Sequence, residues 1–218
     1  MRPMRYADRH RAGKALAERL QAYASEDPVV IALPRGGVPV AVEVARALGA
    51  PLDVLVVRKL GAPGNAELGV GAIAEDGTSV LDRDLVRRTG MTEELLEATV
   101  DREKQELRRR VALYRGSRAP ASLAGRTVIV VDDGVATGLT DLAAVRAIRR
   151  AGAGKIVVAV PVGARDSLGL LAREADDVVC DLIPDELLGV GRWYVNFAPV
   201  EDDEVLELLG GRQRQDQG

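Results

Sequence analysis

The chain has 218 residues, 47% hydrophobic and 29% charged, enough for one α/β domain with a sizeable core or at most two small ones, and too apolar to be disordered. A net charge of -3 excludes a basic field that recruits nucleic acid non-specifically. A single cysteine, Cys180, excludes an internal disulfide framework and a Cys-rich zinc site.

Asp8 is placed to cap an amphipathic helix running to about Tyr23, with Ala12, Leu16, Leu20 and Tyr23 on one stripe. His10 falls on its charged face and reads as a solvated histidine. PVVIALP (28–34) is a short buried strand, and the turn RGG then opens a helix that stops near Gly49. LDVLVVRK (52–59) reads as a second buried strand. LGAPGNAELG (60–69) is rich in Gly, Pro and Asn without periodicity, which predicts a loop. VGAIAEDGTSVLD (70–82) reads as a hairpin turning at Asp76-Gly77.

Thr92 opens a long charged helix through about Tyr114. Its Leu95, Leu96, Val100, Leu107, Val111 and Tyr114 make a narrow apolar stripe, and the charged remainder reads as a solvated face. A strand at 128–131, a helix over 140–151, a strand at 155–162, a helix near 165–175 and a strand at 177–182 follow. Cys180 lies in the apolar run VVC and reads as a small core residue. The polar tail 210–218 is expected to fray. No apolar run approaches the roughly 20 residues that span a bilayer, and the N-terminus lacks a signal peptide's apolar core, so a cytoplasmic protein is expected.

Helices alternating with strands that read as continuous apolar runs predict a mostly parallel central sheet covered on both faces, in one domain over 1–218 with its core at about 28–182. Such sheets bind ligands beyond the carboxyl ends of their strands. Three strand ends carry unusual loops: 34–39, 59–69 and 132–140.

The third is the most informative. VIVVDDGVATGLT (128–140) runs from a buried strand through two acids to a helix start. The free amides of a helix N-terminus attract phosphate. Ala136, Thr137, Gly138, Leu139 and Thr140, mostly small or hydroxylated, suit wrapping one. Asp132 and Asp133 are acceptors, suited to the vicinal hydroxyls of a sugar or to water around a hard cation. Gly134 and Val135 link the two parts. Together they suit a sugar phosphate. Neither GxxxxGK[ST] nor GxGxxG is present, which removes the main support for Walker and dinucleotide sites.

This stretch closely resembles the loop of type I phosphoribosyltransferases that binds 5-phosphoribosyl 1-pyrophosphate (PRPP): an apolar strand, two acids, three variable residues, then Thr-Gly-x-Thr. The competing reading is an ordinary strand-to-helix turn whose acids happen to be adjacent. LPRGGVPVA (33–41) is similar to the family's pyrophosphate loop, with Gly36 and Gly37 letting amides approach the leaving group and Arg35 meeting its charge. The resemblance makes Lys59 a further contact to the leaving group, against a strand-end cation that merely snorkels. It also makes Gly61, Gly64, Asn65 and Glu67 parts of a flexible lid. DRHRAG, PRGGVPVA, RKLGAPGNAELGVGA and VDDGVATGLT extend the resemblance along the whole chain, to a group of stand-alone bacterial phosphoribosyltransferase-like proteins.

The resemblance implies a type I phosphoribosyltransferase-like fold with a small hood, and transfer of the phosphoribosyl group from PRPP to a nitrogen nucleophile with release of pyrophosphate. It also implies Mg²⁺, held by Asp132 and Asp133 mainly through water. The hood is expected at about 183–205 with N-terminal contributions. It holds Trp193, Tyr194 and Phe197, three of six aromatics, which suit a stacked heterocyclic acceptor or else a core edge or dimer contact. The expected partners are PRPP and a small-molecule acceptor; a homodimer is compatible, and membrane and nucleic acid are disfavoured. Two other readings stay open: a non-catalytic regulator on the same fold that senses PRPP or a nucleotide, and transfer or hydrolysis on a related sugar phosphate.

Overall fold

The computed structural model describes residues 5–213, without the side chains of 66, 67 and 211–213. Five parallel strands form the main sheet: β1 (Val29–Ala32), β2 (Leu52–Val54), β6 (Thr127–Val131), β7 (Lys155–Val162) and β8 (Asp177–Leu182), in the order β2-β1-β6-β7-β8. The apolar runs form these strands because both faces are covered. Val30, Ile129 and Val157 join a core with α1 (Arg9–Arg19) and α2 (Gly37–Leu48). Their neighbours Ile31, Val130 and Val158 join a second core with α5 (Leu139–Arg150) and α6 (Arg165–Leu171). Ile129 is wholly buried at the centre of this sheet. Ile129→Ala is expected to cost about 3 kcal/mol and lower the melting temperature by roughly 6–12 °C. A calorimetric shift of under about 2 °C would contradict this packing.

Register fixes the site. Ala32 pairs with Val131, so β1 and β6 end side by side. The chain leaving β1 (Leu33-Pro34-Arg35) and the chain leaving β6 (Asp132-Asp133) therefore start as neighbours, and the Leu33 amide donates to the Val131 carbonyl at 2.9 Å.

Caps behave as their chemistry dictates. Asp8 Oδ1 accepts from the Arg11 amide at 2.8 Å and starts α1, and Thr92 starts α4 (Glu93–Arg115) by accepting from Leu95. The first helix is shorter than expected. It ends at Arg19 and continues as a 3-10 turn, Gln21–Glu26, so Tyr23 is buried but not α-helical. On α4, Leu95 is 48% exposed, whereas Glu103 is buried against Arg58, 2.8 Å away. The apolar stripe is thus narrower than expected, and one acid of the supposed solvated face is a core partner.

The largest corrections concern 52–69. The single expected strand is two: β2 ends at Val54, and β3 (Val57–Ala62) leaves for a separate antiparallel sheet with β4 (Asn65–Ala74) and β5 (Ser79–Leu81). Both pieces carry buried residues, Val54 in β2 and Val57, Leu60 and Ala62 in β3, so the apolar run gives no sign of where one sheet is exchanged for the other. The expected loop 60–69 is mostly hairpin. Its Gly/Pro content reflects register shifts at Leu60–Ala62 and close packing. At Gly71, just beyond, a Cβ would sit 2.4 Å from the Val80 carbonyl. The hairpin at 70–82 turns as expected, with Gly77 at φ +85°.

Two helices go beyond the sequence-based expectation: α3 (Arg83–Arg88), capped by Asp82, and α7 (Asp202–Gln213), with three acids in its first turn. The expected frayed tail is helical to Gln213, and 214–218 lie outside the described residues. Among the described residues no helix is long and apolar enough to cross a membrane.

Candidate active site

The two neighbouring strand ends bring Arg35–Gly37 against Asp132–Asp133. The Pro34–Arg35 peptide bond is cis. A Cβ on Gly36 would lie 2.1 Å from Asp133 Oδ2, so this glycine is required by the carboxylate beside it.

Asp132 Oδ1 accepts from the Asp133 amide at 2.8 Å. Burial, then the charges of Asp133 and Asp141, push its pKa well above the usual carboxylate range. Burial also raises Asp133, and Arg9 opposes that rise. Arg9 Nε donates to Asp133 Oδ2 at 2.8 Å and its Nη1 donates to the Ala198 carbonyl at 2.8 Å. Its guanidinium lies 3.9 Å from the centre of the Phe197 ring.

The rest of the loop is pinned from below. The Val135 amide donates to the Val162 carbonyl, and its carbonyl accepts from Ala164, both at 2.9 Å. Ser167 Oγ donates to the Ala136 carbonyl at 2.5 Å. Ala136 and Thr137 are exposed, and Gly138, at φ +76°, turns the chain into α5. Leu139 and Thr140 thus open a helix whose first amides lack intrahelical partners, next to the acid pair. Gly134 sits under the hood: its Cβ would lie 2.6 Å from Val190.

Asp141 is absent from the sequence-based candidates. It lies in the first turn of α5, 3% exposed, with no hydrogen-bond partner at Oδ1. Burial first, then the charge of Asp133, raises its pKa to about 7.

Arg35 Nη1 lies 3.1 Å from Glu201 Oε2 and 3.7 Å from Asp202 Oδ1. The cation expected to meet pyrophosphate is therefore held by two acids at the start of α7. Lys59 belongs to the second sheet, on β3, with its stem over Gly69. Gly61 lies in β3, Gly64 (φ +71°) at the hairpin tip and Asn65 at the start of β4, opposite Ala62. The side chain of Glu67 lies outside the described residues.

The hood segment is stitched to the N-terminus. Tyr6 donates its amide to the Trp193 carbonyl at 2.9 Å, and Val195 returns a bond to the Tyr6 carbonyl at 2.8 Å. Tyr194 is 3% exposed, and its hydroxyl donates to the Asp133 carbonyl at 2.6 Å. It packs 4.9 Å from Phe197 and 5.6 Å from Tyr6. Tyr194 is thus a core residue that touches the acid pair, and Arg9 covers one face of Phe197. Trp193 is part-exposed. His10, expected in solvent, is part-exposed, with Nδ1 3.0 Å from Glu43 Oε1.

Among the described residues no three His, Cys, Asp or Glu side chains are grouped to hold a metal ion directly. Two adjacent carboxylates at a strand end do fit Mg²⁺ that keeps most of its water shell and is shared with a ligand's phosphates. Acceptors for hydroxyls, a helix start for one phosphate and an arginine for another are the parts such a ligand needs.

The family described as "Phosphoribosyl transferase domain" matches residues 7–204. Two Mycobacterium tuberculosis proteins named "Putative phosphoribosyl transferase" are 47% identical over 209 residues, covering 96% of the chain and 47% of their own length. The chain thus spans about half the length of these curated relatives. The crystal structure of TT1426 from Thermus thermophilus is similar at TM-score 0.78 and 44% identity, over 94% of this chain and 98% of that one. A Neisseria gonorrhoeae protein solved with bound ppGpp shares the fold at TM-score 0.50 and 17% identity, over 96% of each chain.

Proposed function

The chain belongs to the phosphoribosyl transferase domain family, and from this we propose that it displaces pyrophosphate from PRPP with a nitrogen nucleophile, a heterocyclic base. The observation that carries the reading is the register of β1 and β6, which sets the RGG turn directly against an acid pair that opens into a helix N-terminus.

In this reading the first amides of α5, with Thr137 and Thr140, hold the 5-phosphate. Asp132 and Asp133 accept from the ribose hydroxyls. Arg35 exchanges Glu201 and Asp202 for the pyrophosphate, with Lys59 as a second cation. The β3–β4 hairpin tip at Gly64 excludes water from the reacting carbon. Positive charge grows on the anomeric carbon as its bond to pyrophosphate lengthens, and catalysis comes from orientation and from stabilising the departing polyanion. Magnesium offsets the pyrophosphate charge when bound, with Asp132 and Asp133 holding its water shell.

Ala136 bears on which bases react. Many 6-oxopurine phosphoribosyltransferases carry an aspartate just before the loop's Thr-Gly, placed to exchange a proton with the purine. A methyl group at Ala136 can do neither half of that exchange. Adenine or another nitrogen nucleophile is expected to react in preference to hypoxanthine and guanine. Kinetics with adenine, hypoxanthine, guanine, xanthine, uracil and orotate, scored by pyrophosphate release, test this. Hypoxanthine or guanine turning over at a kcat/KM of ~10⁴ M⁻¹s⁻¹ would overturn it.

A further inference from the structure

We infer that Arg9 is a positioning residue for the sugar-binding carboxylate of Asp133, tying the hood to the PRPP loop so that one cannot move without the other. This rests on the reading of Asp133 as a ribose ligand.

Three contacts converge on one guanidinium. Nε takes Asp133 Oδ2, Nη1 takes the Ala198 carbonyl of the hood, and the flat face rests 3.9 Å from the Phe197 ring centre. A planar fork with fixed donor directions can do all three at once, whereas an ammonium cannot. The ion pair is shielded, with the side chains of Arg9 and Asp133 only 11% and 15% exposed. Breaking such a pair from one side strands the other charge.

Asp133 has little other freedom. Its backbone carbonyl accepts from Tyr194, and Gly36 closes on the same Oδ2 that Arg9 holds. With Oδ2 engaged, Oδ1 is the oxygen left for a ribose hydroxyl. Arg9 thereby selects which oxygen faces the sugar, and the hood carbonyl at Ala198 sets where Arg9 stands. Pyrophosphate, by contrast, is assigned to Arg35 and the RGG turn, which Arg9 does not hydrogen-bond.

The test separates the two halves of PRPP. Calorimetry in Mg²⁺ is run with ribose 5-phosphate and with pyrophosphate, on wild type, Arg9→Met and Arg9→Lys. Arg9→Met keeps an apolar stem against Phe197 but has no donor. It is expected to lose at least tenfold in affinity for ribose 5-phosphate and to bind pyrophosphate within twofold of wild type. Arg9→Lys is expected to recover part of the loss. Should Arg9→Met not fold, Arg9→Gln must show the same split. Unchanged ribose 5-phosphate affinity in a folded variant overturns the inference, as does equal loss of both ligands, which marks a merely structural tie. A wild type that binds neither ligand overturns the PRPP reading itself, and the role of Arg9 with it.

Discussion

Asparagine at both Asp132 and Asp133 is expected to abolish PRPP binding while the chain stays folded. An amide can still hydrogen-bond a hydroxyl, but it brings no charge to organise magnesium's water shell and presents donors where the sugar also donates. The loss is expected to exceed 100-fold, roughly 2.7 kcal/mol. The fold should survive because the acid pair is a burden on it: burial raises both pKa values, Asp133 adds to the rise at Asp132, and neutral amides remove that opposition. Arg9 loses its ionic partner but can still donate to the amide oxygen introduced by Asp133→Asn. Calorimetry with PRPP and Mg²⁺, beside a thermal melt, reads both halves. Wild-type affinity in the folded double variant would remove the assignment of these acids.

Asp141→Asn is expected to stabilise the protein at alkaline pH and to leave it nearly unchanged in acid. The Asp141 carboxyl is raised from 3.8 to about 7, first by burial, and its Oδ1 has no partner. Below about pH 4 it is protonated in both folded and unfolded chains and contributes nothing. As pH rises toward about 7 the unfolded chain ionises while the folded chain keeps its proton, so stability falls across that window and stays reduced above it. A shift of this size corresponds to roughly 4 kcal/mol at full ionisation, an upper bound for what the amide restores. Denaturant melts of both proteins at about pH 4 and about pH 8 measure it. An equal effect at the two pH values would show that packing, not charge, sets the difference.

Much of the candidate site's placement is legible in the sequence because local chemistry and chain order define it. Asp132 and Asp133 follow an apolar β-branched run and precede a helix start, so their position at a parallel strand end needs no tertiary information. The caps at Asp8 and Thr92 are equally local. The main sheet follows from short apolar runs alternating with helices. What is missed depends on partners distant in sequence. Nothing near Gly36 shows that Asp133 will press against it. Arg9 stands in a charged helix start and looks solvated until the hood folds over it, although its place in DRHRAG is a signal that a role attaches to it. Asp141 reads as an ordinary acid in a first helical turn, since burial beside the acid pair is a property of the fold. Tyr194 stays divided between a stacking platform and a core edge, because composition shows an aromatic cluster but not which ring turns inward. The 52–69 region fails for a different reason: apolar runs and glycines report burial and close approach without saying which sheet supplies them.

Phosphoribosyl transfer to a base must form a glycosidic bond at the anomeric carbon of PRPP. Mass spectrometry of the products from PRPP, Mg²⁺ and a pool of nucleobases measures that directly. A base ribonucleoside 5′-monophosphate, formed in equal amount with pyrophosphate and lost in the Asp132→Asn, Asp133→Asn variant, is the predicted result. Ribose 5-phosphate formed whether or not a base is present, or PRPP recovered intact, would contradict it.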